Sequence, residues 1–448
     1  MKTSFTPAQL ADPAIAEADA ILRECQHYGF CTAVCPTYVL LGDENDAPRG
    51  RIDLIREMLE KGGAPSAKTV GHIDKCLSCL SCMTTCAVKV DYVHLVDRAR
   101  IHIEENFRRP LADRAIRAFV AATVPKPRRF AAALRAARFG RPFRRLMPGR
   151  LRVMVELAPK SLPNEKPIAP GVYPAEGARR MRVALLQGCA QQVLAPHLNA
   201  ATLRLLRRHG CEVVVSNVEC CGALTLHMGK EKLAKQAARQ CIDAWTNELS
   251  AGGLDAVIVN ASGCGSTVKD YGHLFQRDND FAAAAARIGK LTQDVTQIMV
   301  RLGLKPTAEA RRFAVAYHDA CSLQHVQKIV DEPRALLAQA GFVVRDVPER
   351  HFCCGSAGTY NMLQPDIAAQ LGRRKAGHID STDAEIVAAG NLGCIAQISG
   401  YTARPVVHTV ELLDWATGGP MPPALYGVAL TPVPDAAPVS SDDANAIW

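Results

Sequence analysis

The run CLSCLSCMTTC at residues 76–86 sets Cys76, Cys79, Cys82 and Cys86 in the spacing C-x2-C-x2-C-x3-C. Thiolates are soft ligands that suit iron–sulfur clusters. The short spacing lets one loop wrap three corners of a cubane, and the fourth cysteine of such a run ligates the other cluster of a pair. A zinc site needs only C-x2-C pairs and gains nothing from the third and fourth cysteines. A second run lies upstream, Cys25, Cys31 and Cys35-Pro36, or C-x5-C-x3-C-P. It is the same motif with one member missing, and Tyr28 stands where the second cysteine belongs.

Crossing the fourth cysteines gives a definite expectation. Cluster B takes Cys35, Cys76, Cys79 and Cys82, a full set for [4Fe–4S]. Cluster A takes Cys25, Cys31 and Cys86, which is only three. A tyrosine phenolate, with a reference pKa of about 10, is a poor iron ligand. The adjacent His27 reads more readily as a solvated loop histidine. Cluster A is therefore either [3Fe–4S] or a [4Fe–4S] with one iron not held by cysteine. Around these cysteines the sequence is helical. Pro48 opens a pattern with Ile52, Leu54, Ile55, Met58 and Leu59 on one face, and Gly62-Gly63 ends it. Nothing in residues 1–105 alternates like a strand, so this module is expected to be all-helical.

Downstream, strand and helix alternate from 181 to 418. The apolar run Val183–Leu186 leads to Cys189, Val213–Val215 to Cys220-Cys221-Gly222, and Ala256–Val259 to Cys264. The arrangement recurs: Phe313–Tyr317 leads to Cys321, Phe342–Val344 to Cys353-Cys354-Gly355, and Ile386–Ala388 to Cys394. Matching cysteines differ by 132 (189 to 321), 133 (220 to 353) and 130 (264 to 394). This is an internal repeat. Each copy is expected to hold a mostly parallel α/β sheet, 181–305 and 306–418, with its cysteines beyond the carboxyl ends of strands, where ligands collect. The sets Cys189, Cys220, Cys221, Cys264 and Cys321, Cys353, Cys354, Cys394 have three readings: a further iron–sulfur cluster each, an electron-acceptor site, or inert thiols. Adjacent cysteines on a turn are awkward as core residues, which favours a redox or metal role. His318, Asp319 and His325 flank Cys321 and either tune that site or cap the next helix. Cys211 and Cys241, the two cysteines outside these groups, read as small buried hydrophobes.

Residues 106–180 form a Pro-broken connector. Between Arg108 and Arg152 it carries fourteen Lys or Arg against one acidic residue, Asp113, a local charge that exceeds the +9 of the whole chain. Interleaved Phe119, Phe130, Leu134, Phe139, Phe143, Leu146 and Met147 make docking on acidic lipid headgroups or on an acidic partner the better reading than a plain linker. No nucleic-acid-binding motif accompanies the charge. Residues 419–448, rich in Pro, Ala and Asp, are expected to be a disordered tail.

The chain has 448 residues and a hydrophobic share of 48%, ordinary for a soluble globular protein and enough for several domains. No stretch approaches the roughly 20 apolar residues of a spanning helix. The first twenty residues hold no apolar core of a signal peptide, so a cytosolic compartment is expected, where seventeen cysteines read as metal-binding or catalytic and not as disulfides. No G-x-G-x-x-G follows a strand, so neither a flavin nor a nicotinamide site is expected, and no catalytic residue is assigned.

The stretches CQHYGFCTAVCPTYVLLGDENDAPRGRI and CLSCLSCMTTC closely resemble the iron–sulfur subunits of bacterial glycolate oxidases. ECCGAL, ASGCGS, DACSLQHVQK and FCCGSAGTYNML resemble the same subunits and the cysteine-rich domains of heterodisulfide reductase and lactate-utilisation proteins. The fold implied is multidomain: an all-helical dicluster ferredoxin module followed by two repeated α/β cysteine-rich domains. The resemblance implies a complex in which FAD-binding partner subunits oxidise glycolate to glyoxylate and this chain passes electrons towards a quinone or the respiratory chain, in the cytoplasm or on the inner face of the membrane. D-lactate or another 2-hydroxy acid as substrate, and a thiol–disulfide reductase of the heterodisulfide type, are the alternatives. Tyr28 departs from the pattern. So do the single cysteines Cys264 and Cys394, where heterodisulfide reductase has C-x-x-C.

Overall fold

Proline placement organises the N-terminal helices. Pro13, Pro36 and Pro48 each occupy the first turn of a helix, where the missing N–H costs nothing. Asp12 and Ser66 cap their helices by accepting the Ala14 and Thr69 amides. Helices Pro13–Glu24, Pro48–Lys61, Ala67–Asp74 and Tyr92–Asn106 bury one apolar stripe each, and Leu22, Ile55, Leu59, Ile73, Leu95 and Ile103 meet in a common core. The computed structural model describes residues 1–147, 149–159, 161–307 and 312–434, and among the described residues 1–105 contain no strand.

The strands are β1 (Gly171–Tyr173), β2 (Met181–Leu186), β3 (Cys211–Val215), β4 (Ala256–Val259), β5 (Thr292–Asp294), β6 (Ala314–His318), β7 (Val343–Asp346), β8 (Ile386–Ala389) and β9 (Val406–His408). They form two sheets, ordered β1-β3-β2-β4-β5 and β7-β6-β8-β9. In the first, β2 lies centrally and parallel to both neighbours, with Val183 opposite Val213 and Ala256. In the second, β6 takes the same place, with Val315 opposite Val344 and Ile386. Helices cover both faces, so the central strands are buried and read as continuous apolar runs.

The two sheets share one core. Val183, Leu205, Val213 and Ile258 belong to the same packed cluster as Val315, Leu336, Ile386 and Val410. Between the repeats, Arg204 and Arg208 of helix Pro196–Arg208 both bind the buried Asp414 carboxylate on helix Thr409–Ala416, at 2.6 and 3.1 Å.

Two expectations need correction. The connector is not separate from the first repeat, because β1 pairs antiparallel with β3 and makes that sheet mixed. Three residues of edge strand carry too little pattern to be read from sequence. The chain beyond 418 is also not free at once. Leu425 is buried, the Val433 amide donates to the Arg312 carbonyl at 2.7 Å, and the Thr431 amide donates to Glu385. Residues 435–448 of the expected tail, and Pro148 of the connector, lie outside the described residues. Among the described residues no helix is long and apolar enough to cross a membrane.

Candidate metal centres

In the helical module the cysteines fall around two neighbouring cavities. One is lined by Cys25, Cys31 and Cys86, with Tyr28 and His27 at its rim. The other is lined by Cys35, Cys76, Cys79 and Cys82. Cys82 borders both. The loop that carries Tyr28 turns through left-handed backbone at His27 (φ 55) and Gly29 (φ 87), which leaves the Tyr28 ring 62% exposed. His27 lies 3.8 Å from Asp53.

The four-cysteine cavity has a built electrostatic floor. The Cys76 sulfur accepts from the Ser78 amide at 3.5 Å and from the Tyr92 hydroxyl at 3.8 Å. Cys35 Sγ lies 3.2 Å from Thr37 Oγ1 and 3.9 Å from Arg51 Nη1. Burial pushes the Cys76 thiol up, but Arg51 and Arg100 draw it below its ordinary value. Burial keeps Cys79 and Cys82 well above theirs. Four buried thiols around one cavity, with hydrogen-bond donors aimed at the sulfurs, fit an iron–sulfur cluster, and such donors set its potential. Arg51 is fully buried and itself held by the His72 carbonyl and Thr37, while Asp46 takes His72 and Lys75 at 2.8 Å each. Sequence reasoning did not identify this buried network. Its signal was DENDAPRGRI, a stretch too polar for its helical surroundings.

Each repeat gathers its four cysteines at the carboxyl ends of its strands. In the first, Cys189, Cys220, Cys221 and Cys264 neighbour one another, and Cys220 accepts from the Gly222 amide at 3.4 Å. Hydrogen bonds from Cys189 and Cys221 hold Cys220 well below the ordinary thiol value. In the second, Cys321 and Cys353 are 3.9 Å apart, Cys353 accepts from the Gly355 amide at 3.4 Å, and Cys394 accepts from Asn391 at 3.4 Å. Gly222 and Gly355 both sit at φ 90, and a Cβ on either would meet a backbone carbonyl, Ala234 at 2.6 Å or Ala368 at 2.7 Å. Only glycine can turn the chain this close to the following helix. Cys321 is followed by a π-helical turn, Ser322–Gln327, a feature frequent at functional sites. Cys211 and Cys241 are fully buried in the first repeat's cores, as their apolar settings implied.

Both cysteine sets open on one cavity of about 650 Å³. Its wall is largely apolar, supplied by Phe130, Leu134, Leu151 and Met154 of the connector, and Cys76 to Ser78 of the helical module reach it as well. Cys79 packs in one cluster with Cys321 and Cys353.

Similarity to known proteins bears on this arrangement. The profile described as "4Fe-4S dicluster domain" matches residues 21–90, and that described as "Cysteine-rich domain" matches 183–269 and 315–399. The chain is 38% identical over 417 residues, 93% of its length and 99% of the relative's, to the "Glycolate oxidase iron-sulfur subunit" of Escherichia coli (strain K12). The chain belongs to the glycolate oxidase iron–sulfur subunit family. The "Probable glycolate oxidase iron-sulfur subunit" of Bacillus subtilis (strain 168) is 30% identical, covering 89% of this chain and 94% of that one. The "Lactate utilization protein A" of Oceanobacillus iheyensis is 28% identical over 242 residues, 52% of this chain and 97% of that one. Membership of this family makes the chain an iron–sulfur electron-transfer component of an oxidoreductase complex, with a dicluster module ahead of two cysteine-rich repeats.

The connector is only partly the free basic surface that its composition implied. Asp113 takes Arg109, Arg117 and Arg150, and Asp74 takes Arg109 and Arg117, so three arginines are spent on internal ion pairs. Arg128, Arg129, Arg135, Arg138 and Arg145 remain exposed beside Phe119, Phe139, Phe143 and Leu146, which are 50–85% exposed.

Proposed function

We propose that this chain passes electrons from FAD-binding partner subunits, which oxidise glycolate to glyoxylate, to a quinone. The observation that carries this is the contact of Cys79 with Cys321 and Cys353, which joins the helical module to the wall of the large apolar cavity without a gap of ordinary protein between thiol sets. Cys35, Cys76, Cys79 and Cys82 hold cluster B, and Cys25, Cys31 and Cys86 hold cluster A. The repeat cysteines hold further redox or metal centres. The functional units run 1–105, 106–180, 181–305 and 306–418, with β1 lent by the second to the third. Iron–sulfur clusters so held supply one-electron transfer, and the chain sets potential and route.

The exposed Tyr28, Phe30 and Val88 line the cluster A cavity and form the face for a flavin-bearing subunit. At the other end, the exposed arginines and aromatics of the connector rest on anionic lipid at the cytoplasmic face of the membrane, where a quinone enters the cavity beneath them.

The complex, purified with its flavoprotein partners, is expected to reduce a short-chain quinone with glycolate in preference to D-lactate, while the isolated chain is brown and inert towards glycolate. Preference for D-lactate would move the substrate. Stoichiometric zinc without iron in the isolated chain would overturn the electron-transfer reading.

A further inference from the structure

Of six buried histidines among the described residues, five have hydrogen-bond partners. His72 meets Asp46, His102 the Gly63 carbonyl, and His209 the Leu205 carbonyl and the Lys305 amide. His325 meets Thr84 and the His351 carbonyl, and His408 the Asn260 carbonyl and the Val410 amide. The sixth, His318, is 1% exposed and neither ring nitrogen has a partner. A buried imidazole left without partners is costly, and natural proteins seldom carry one without a purpose.

His318 is also placed by rigid structure. It ends β6, opposite Ala389 of β8, at the strand ends where the second repeat's cysteines collect. One of its ring nitrogens and the sulfurs of Cys354 and Cys394 all lie within 4.8 Å of one another. A tetrahedral ion with bonds of about 2.0–2.3 Å places its donors roughly 3.5–3.8 Å apart, so these three close on one ion with small side-chain shifts. The other two cysteines of the repeat, Cys321 and Cys353, lie 3.9 Å apart, just beyond that range. With neither ring nitrogen engaged by a protein group, the neutral imidazole has a lone pair free for an ion. Its neighbours are committed elsewhere, for Asp319 is clamped by Arg334 at 2.6 and 2.7 Å and His325 is partnered on both nitrogens. In the first repeat the residue three before the first cysteine is Leu186, which is buried in an apolar core.

We propose that His318 is a ligand to the metal centre of the second repeat, together with Cys354 and Cys394, so that this centre has a mixed nitrogen–sulfur shell and the first repeat an all-sulfur one. The metal is a thiophilic transition ion, either iron or zinc, since thiolate and imidazole suit both. The inference rests on reading the repeats as metal-binding, and the test separates the two.

The full chain, prepared without oxygen and reconstituted with iron and sulfide, is compared as wild type, His318→Leu and His318→Cys. All are made on a background of Cys220→Ser and Cys221→Ser to silence the first repeat. Iron and zinc are counted, X-ray absorption is read at both edges, and pulsed EPR is read for nitrogen coupling. In the iron arm the wild type shows a strongly coupled imidazole nitrogen. In the zinc arm it shows retained zinc with a short nitrogen shell. In either arm His318→Leu loses the nitrogen and releases its metal to a chelator about 10–100-fold more easily. His318→Cys keeps the metal with sulfur alone, which guards against a His318→Leu chain that fails to fold. A second-repeat centre bound by sulfur alone in the wild type, or a nitrogen signal that survives in His318→Leu, overturns the proposal. A second repeat that takes no metal overturns the reading beneath it.

Discussion

In the first repeat the loop after Cys221 carries Leu224 and Met228 into a cluster with Val120, Val124 and Phe130 of the connector. In the second, Cys321 and Cys353 pack with Leu77 and Cys79 of the helical module. The two copies have the same central strand, the same Cys-Cys-Gly turn and the same strand-end cysteines, yet the loop after the first Cys-Cys pair packs on the connector, whereas the cysteines of the second pack on the dicluster module and Met362 reaches the connector. Duplication fixed how the thiols are held, and the neighbours decide what they meet. The contacts to the module differ in kind as well. The first repeat holds it through charge, with His94 bonded to Asp270 and stacked on His273 at 3.4 Å, and Glu17 on His273 and Arg277. The second holds it through apolar packing and hydrogen bonds, from the Tyr360 hydroxyl to the Lys75 carbonyl at 2.9 Å and between Thr84 and His325 at 3.0 Å, with Lys328 donating to Thr84 at 3.2 Å.

The hardest blow to this contrast compares Cys353→Ser with Cys220→Ser in the assembled complex. Quinone reduction driven by glycolate is expected to fall about 100-fold in the first, or about 2.7 kcal/mol in effective barrier, and clearly less in the second. Equal losses would erase the distinction between the copies. Next come the two turns. Gly222→Ala and Gly355→Ala each force a Cβ onto a carbonyl at positive φ, and each is expected to cost about 3 kcal/mol, read as a lower unfolding midpoint. Because the geometry is the same, the two costs should agree, and a wide gap would show that the scaffolds are less alike than their backbones.

The proposed membrane contact rests on the connector. Replacing Arg135 and Arg138 by Gln is expected to weaken binding to anionic vesicles by about 2 kcal/mol, at roughly 1 kcal/mol per charge, with salt acting in the same direction. Binding that ignores both would return the connector to a plain linker. The smallest effect is the pH dependence of the His94 contact. Burial opposes a charge there, but Asp270 and Asp91 hold the proton and raise the pKa from 6.5 to about 10. A raised histidine stabilises fully below its unfolded value and loses that contribution as pH climbs through its folded one. His94→Gln should therefore cost about 1 kcal/mol near pH 6 and little at pH 10, as judged by denaturant midpoints. A constant difference across that range would remove the ion pair from the interface.

Much of this was legible in the residues themselves. Val183–Leu186 and Ala256–Val259 are buried on both faces, so their apolar runs announced them as strands. The cysteine spacing divides the thiols much as the two cavities do, with Cys82 bordering both. Edge strands were not legible. Thr292–Asp294 is three residues with no apolar alternation, and its place is set by pairing with Val257–Val259. Nor could sequence reveal that His318 is unpartnered while His325, seven residues on, is bonded twice. That difference lies in which strand end and which turn each side chain leaves, and it exists only once the sheet is closed.

The pairing of β1 with β3 has a practical consequence for anyone who would cut the chain. A fragment begun at the first residue of the first repeat would leave the Cys211–Val215 strand as a bare edge, with its Val213–Val215 amides and carbonyls open to any passing strand. Such a fragment should precipitate or self-associate. One begun about fifteen residues earlier carries its own guard strand and should stay monomeric. The connector is thus a chaperone in cis for the sheet it precedes, and the chain emerging from the ribosome delivers that guard before the edge it protects has been made.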